Sequence, residues 1–195
     1  MAHPNIDAIV IGGSAGALDV LGVVLPALPA PCAVAVVIVI HLPASKPSQL
    51  PAVLGARTAL PVREIEDKVP VAPGVVWVAP PGYHVLVERD HTFALSVDEL
   101  VHFSRPSIDV LFESAAEAYG ARLAGVLLTG ANADGARGLL AIENAGGLCF
   151  VQAPATAVAR AMPEAALARV GGARSLPVPE LAAALAGVAQ VTEAR

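Results

Sequence analysis

Nine consecutive apolar residues, Cys32 to Ile40, constrain the fold more than any other feature of the sequence. The run is far short of the ~20 residues that a membrane-spanning helix needs. Its Val and Ile content suits a strand buried on both faces, the kind found in parallel sheets. A second strand-like stretch, over residues 6–11, stops at Gly12-Gly13-Ser14-Ala15-Gly16 and is followed by apolar helical spacing over 17–28, closed by Pro29 and Pro31. Strand, tight turn, helix and strand in that order make a crossover unit, and crossovers build parallel sheets.

The same punctuation continues along the chain. His41-Leu42-Pro43 leads to a helix near 47–54, then short strands are expected over 62–65, 75–79, 85–88 and 92–97. The last two alternate apolar and polar residues about Arg89-Asp90-His91 and read as a hairpin. Ile108, Leu111, Phe112, Ala115 and Tyr119 have helical spacing, begun by Arg105-Pro106-Ser107 and ended by Gly120. A strand over 123–128, a loop over 129–134, a helix over 135–144 and a strand over 148–151 follow. A helix over 162–168, a strand over 174–178 and a helix over 179–189 complete the pattern. The expectation is one domain over residues 1–195. Its class is α/β, with a doubly wound, mainly parallel seven-stranded sheet, helices on both faces and one antiparallel β-hairpin.

Composition removes several classes of function. Hydrophobic residues make up 55% of the chain and charged ones 15%, with a mean hydropathy of +0.66, which is incompatible with intrinsic disorder. The net charge is −5 and no basic run occurs, so a nucleic-acid footprint is not expected. Cys32 and Cys149 each sit in an apolar run and read as small core residues. No Cys/His spacing suggests a metal site, and neither a metal nor a cofactor is expected. Without a charged leader or a long apolar segment, the expectation is a cytoplasmic protein with no membrane insertion.

In an open parallel sheet, functional sites lie outside the carboxyl ends of the strands. Ser14, His41 and Asp134 each stand at such an end. Serine needs a base to become a nucleophile, histidine can supply one near neutrality, and a carboxylate fixes the tautomer of that histidine. Gly12-x-Ser14-x-Gly16 also matches the sharp strand-to-helix turn that displays a nucleophilic serine. Each residue has a structural alternative: Ser14 as an N-cap, His41 as a hydrogen-bonded structural histidine, and Asp134 as an N-cap for the helix over 135–144. Among the remaining polar residues, His3 and His91 read as solvated, and His84 as packed or lining a cleft. His102 and Arg105, with Ser104, are candidates for a substrate groove. Asp109 reads as a favourable charge at a helix N-terminus.

Several segments together resemble a known family. Ile11-Gly12-Gly13-Ser14-Ala15-Gly16, Ile40-His41-Leu42-Pro43, Ser104 to Phe112 (SRPSIDVLF) and Leu128-Thr129-Gly130-Ala131-Asn132-Ala133-Asp134-Gly135-Ala136 closely resemble the catalytic domain of CheB, the bacterial chemotaxis protein-glutamate methylesterase. Val78 to His84 (VAPPGYH) and Met162-Pro163 resemble it as well. The resemblance implies a doubly wound α/β hydrolase with Ser14 as nucleophile, His41 as base and Asp134 as orienter. Backbone amides near Ala15 and Ala131 are candidates for the oxyanion site. The implied substrate is a methylated chemoreceptor cytoplasmic domain or a similar signalling protein, with methanol released and glutamine deamidation as a second reaction. Four features depart from the family pattern. Gly130-Ala131-Asn132 stands where the family has glycine-methionine-glycine, and there Asn132 is expected to tolerate a left-handed backbone. Ile40 replaces a glutamine, Ala17 replaces a glycine, and no receiver domain is expected, which leaves room for a separate receiver-domain regulator. Two other classes compete. A dinucleotide-binding module is opposed by the spacing of the glycine turn and by His41 where an acidic ribose ligand would be expected. A non-catalytic CheB-like scaffold is opposed by the three residues at the strand ends.

Overall fold

The computed structural model describes residues 5–41 and 48–190. Seven strands form one sheet in the order β3-β4-β2-β1-β7-β8-β9. They are β1 (Ala8–Gly13), β2 (Ala35–Ile40), β3 (Val62–Glu64), β4 (Val76–Val78), β7 (Leu123–Leu127), β8 (Leu148–Gln152) and β9 (Arg174–Leu176). Every pairing in this sheet is parallel, so the expected "mainly parallel" sharpens to wholly parallel. The antiparallel hairpin, β5 (His84–Val87) with β6 (Phe93–Ser96), is a separate two-stranded sheet. Among the described residues no helix is long and apolar enough to cross a membrane.

Period-two alternation divides the apolar residues of the central strands between two cores. Ala8, Val10, Val37 and Val39 face one layer, which holds α3 (Ile108–Tyr119), α4 (Ala136–Asn144), α5 (Ala161–Arg169) and the hairpin. Ile9, Ile11, Val36 and Ile38 face the other, which holds α1 (Ala17–Ala27), α2 (Leu50–Gly55) and α6 (Val178–Val188). That is why β1 and β2 read as unbroken apolar runs: both of their faces are covered. The strand over 32–40 begins later than expected, at Ala35, and the last strand ends at Leu176 because Pro177 starts the final helix. One link breaks the strand–helix alternation. The parallel neighbours β3 and β4 are joined without a helix, by a segment that buries Ile65 and Val71. Leu42, Pro43, Pro47 and His3 lie outside the described residues.

Two glycines let the layers approach at the carboxyl edge. A Cβ on Gly12 would lie 2.2 Å from Ile108 Cγ2, so only glycine lets the first turn of α3 rest on the end of β1. Gly135 has φ +93°, and its Cβ would meet Leu127 Cδ1 at 2.5 Å and Ile108 Cγ2 at 2.7 Å. Gly135→Ala combines a left-handed backbone with overpacking and should cost about 2–4 kcal/mol. That corresponds to a fall in Tm of about 4–16 °C for a chain of this length, readable by thermal unfolding. An unchanged Tm would contradict this packing.

Candidate active site

The chain runs outward from β1 to β2 and β4, then returns to the other side of β1 with β7 and continues to β9. The reversal places a crevice at the carboxyl ends of β1 and β7. Gly13 is in register with Ile40, so Ser14 and His41 leave neighbouring strands side by side. The His41 amide donates to Gly13 O at 3.2 Å and carries the ladder one residue further. The loop after β7 arrives from the opposite side of β1 and carries Asp134.

Asp134 is fully buried and accepts four hydrogen bonds. Oδ2 receives His41 Nε2 and the Ile108 amide, both at 2.8 Å. Oδ1 receives the Ser107 hydroxyl at 2.8 Å and the Asp109 amide at 3.0 Å. Burial works against the ionised form. The hydrogen bonds from His41, the Asp109 and Ile108 amides and Ser107 outweigh it, so the carboxyl lies below its usual value. The expected alternative for Asp134, an N-cap of the next helix, is therefore corrected. Asp134 holds the N-terminus of α3, and the N-terminal amides of α4 go to Asp109, whose Oδ1 accepts from Gly135 at 2.9 Å and Gly138 at 2.7 Å. Asp109 is thus a buried partner of α4 as well as a charge in the first turn of its own helix.

Ser14 is partly exposed and does not cap α1, whose N-cap is Gly16 with no side-chain cap. Among the described residues its hydroxyl has no hydrogen-bond partner. The turn that bears it is tied to the β7 loop through Thr129. The Ser14 amide donates to Thr129 O and the Thr129 hydroxyl to Ala15 O, both at 2.9 Å. Thr129 is in turn held by Gln152 Oε1, which accepts its amide at 2.9 Å, and by the Ala159 amide on its Oγ1. Thr129 and Gln152 are both fully buried. The amides of Ala15 and Ala131 have no partner among the described residues and are free to donate. Asn132 does not adopt the expected left-handed backbone. Its Oδ1 accepts the Asp134 amide at 3.1 Å instead, an Asx turn that replaces the glycine by side-chain chemistry.

The other candidates divide. Arg105 turns its guanidinium back to its own loop, donating to Val97 O at 2.7 Å and Asp98 O at 2.9 Å, which leaves its head group tied up rather than lining a groove. His102 lies 3.3 Å from Asp109 Oδ2, in a cleft of about 480 Å³ that also includes Arg137 and Arg169. His91 stacks on Tyr119 at 4.4 Å and is not simply solvated. His84 is buried, with Nδ1 accepting the Ser107 amide at 3.1 Å and Nε2 donating to Glu99 O at 2.9 Å. The only described side chains grouped closely enough to hold a metal are His102, Asp109 and Asp134. There the Asp134 oxygens are already engaged, and Arg137 Nε lies 3.7 Å from Asp109 Oδ2, so an incoming cation would compete with existing donors. Ser107, Thr129 and Gln152 escape a sequence reading because their partners are distant along the chain. The one available signal was three polar residues at otherwise apolar positions.

Comparison with known proteins bears on the family. Residues 9–185 match the model for CheB methylesterase. A Leptospira interrogans protein provisionally named protein-glutamate methylesterase/protein-glutamine glutaminase is 47% identical over 163 residues, covering 84% of each chain. The protein-glutamate methylesterase/protein-glutamine glutaminase of Symbiobacterium thermophilum is 38% identical over 178 residues, covering 91% of this chain and 49% of that one. This chain therefore spans about half the length of that relative. The crystal structure of the Thermotoga maritima CheB methylesterase catalytic domain superposes with a TM-score of 0.89 at 29% identity, over 94% of this chain and 98% of that one. Fold and sequence agree, and the chain belongs to the CheB methylesterase family.

Proposed function

We propose that the chain is a serine hydrolase that removes methyl groups from glutamate methyl esters on a protein. In this reading Ser14 is the nucleophile, His41 the base and Asp134 its orienter. The observation that carries it is the His41–Asp134 hydrogen bond at the carboxyl edge, beside the turn that bears Ser14. With Asp134 anionic, Nε2 keeps its proton and donates it to Oδ2, and Nδ1 holds the lone pair that takes the Ser14 proton. Ser14 Oγ attacks the ester carbonyl, and the amides of Ala15 and Ala131 stabilise the oxygen as it gains charge. The bond to the methoxy group then breaks, His41 returns the proton, and methanol leaves. Water, deprotonated by His41, attacks the acyl-enzyme; Ser14 recovers a proton and the glutamate carboxylate is freed. The same route with an amide leaving group releases ammonia from glutamine.

The substrate assigned here is the methylated cytoplasmic domain of a chemoreceptor or a similar signalling protein, which sets the reaction in the cytoplasm. Exposed apolar side chains support a macromolecular substrate. Val97, Leu100 and Phe103 are 66%, 56% and 96% exposed, on the segment leading into the Asp134-binding end of α3. Remote contacts of this kind lower the barrier for a folded substrate and offer nothing to a small ester.

Ser14→Ala and His41→Ala should each lower ester turnover by about 10⁶-fold and Asp134→Asn by about 10⁴-fold, with folding checked by circular dichroism. Near-normal methanol release from a folded His41→Ala variant would sink the triad. The depressed carboxyl of Asp134 gives a second check. Its stabilising effect is complete above the unfolded value of about 3.9 and is lost as pH falls through the lower folded value. Urea unfolding between about pH 4 and 2 should therefore show a shallower loss of stability on acidification in Asp134→Asn than in the unaltered chain. Phe103→Ala should raise KM for methylated receptor about tenfold and leave hydrolysis of nitrophenyl acetate unchanged. An equal effect on both substrates would place Phe103 outside the docking surface.

A further inference from the structure

We propose that His84 is a positioning residue for hydrolysis, acting through Ser107 on the Asp134 carboxylate. This rests on the reading of Asp134 as the orienter of His41. Three of the four donors to Asp134 come from consecutive residues, Ser107, Ile108 and Asp109, so the position of that short segment sets the position of the carboxylate. Ser107 is the N-cap of α3 but makes no side-chain cap, because its hydroxyl is committed to Asp134. Something else must fix its backbone. That partner is His84 Nδ1, which accepts the Ser107 amide at 3.1 Å. The ring is 2% exposed and locked at its far side by the bond from Nε2 to Glu99 O at 2.9 Å. The two bonds define one neutral tautomer, with the proton on Nε2 and the lone pair on Nδ1. A continuous chain of directed contacts thus runs from Glu99 O through His84, Ser107 and Asp134 to His41. His84 touches neither substrate nor reacting atoms in this scheme; it limits the freedom of the group that aims the base.

Two substitutions separate the two ring nitrogens. His84→Asn places a carbonyl oxygen near the position of Nδ1 and keeps the acceptor for Ser107. His84→Gln reaches the position of Nε2 and keeps only the bond to Glu99. His84→Asn should retain most of kcat. His84→Gln should lose about ten- to hundredfold in kcat, with KM for nitrophenyl acetate little changed. Ser107→Ala, which keeps the backbone bond to His84 but deletes the hydroxyl donor, should show a loss of the same kind. In an Asp134→Asn background, His84→Gln should have no further effect, because the group it acts through has already lost its charge. Equal losses in His84→Asn and His84→Gln, or a full additional loss in the Asp134→Asn background, would overturn the role. If Asp134→Asn itself turned over normally, the triad reading would fail first, and that outcome is distinct from the other two.

Discussion

Burying a carboxylate without partners costs several kcal/mol, and the carboxyl edge of this protein is organised around one that has every partner it can use. Asp134 is fully enclosed, and its four acceptor positions are filled by His41, Ser107 and two amides at the start of α3. The amides contribute doubly. They satisfy the anion and place it at the positive end of a helix, and they join the hydrogen bonds from His41 and Ser107 in holding the carboxyl low against the effect of burial.

Asp134 and Asp109 exchange places between two helices. Asp134, just ahead of α4, binds the first amides of α3, while Asp109, in the first turn of α3, binds Gly135 and Gly138 at the start of α4. Neither helix begins with a side-chain cap of its own. Each relies on the other's carboxylate, so the two helix starts are fixed relative to one another, and the loop between Thr129 and Gly135 is held at both ends. The close approach needed for this exchange depends on Gly12, Gly135 and Gly138, where a Cβ would fall within 2.2–2.7 Å of Ile108, Leu127 or Phe112 atoms. The second oxygen of Asp109 has no hydrogen bond and faces His102 and Arg137 across the neighbouring cleft. The Arg137 guanidinium balances it at 3.7 Å without fixing it in one geometry.

Much of this was legible in the sequence because it depends on local pattern. The runs that became β1 and β2 announce strands buried on both sides, and the residues directly after them, Ser14 and His41, sit at the carboxyl edge, which Asp134 reaches from the loop after β7. What stayed hidden depends on partners far apart in the chain. His84 reads as a packed strand residue until Ser107 is seen 3.1 Å away. Thr129 and Gln152 read as ordinary polar residues, although together they tie the Ser14 turn to β7 and β8. Asp109 reads as a dipole charge because the rule for helix N-termini concerns a residue's own helix, whereas its main partners belong to the next one. Arg105 illustrates the opposite error. An arginine beside a site suggests substrate contact, yet here two carbonyls of its own loop take up the guanidinium.

Strand order also decides which nitrogen of His41 serves as base in the proposed mechanism. His41 follows β2, Ser14 follows β1 and Asp134 follows β7, and β1 lies between the other two. Adjacent strands are about 4.8 Å apart, so Ser14 is one spacing from His41 while the Asp134 loop starts from a strand two spacings away. The imidazole must therefore reach over the end of β1 to meet the carboxylate, and its outer nitrogen, Nε2, makes that contact. In the proposed mechanism this leaves the inner nitrogen, Nδ1, for Ser14, whose turn follows the neighbouring strand. This reverses the assignment in the familiar serine-protease arrangement, in which Nδ1 meets the carboxylate and Nε2 the serine. Gly12 and Gly13 place no side chains at the end of β1. A bulkier pair there would meet Ile108 on one side and Ala17 on the other. In the proposed mechanism the reversal thus follows from placing the serine after the middle strand of three, with the histidine and the aspartate after its two neighbours.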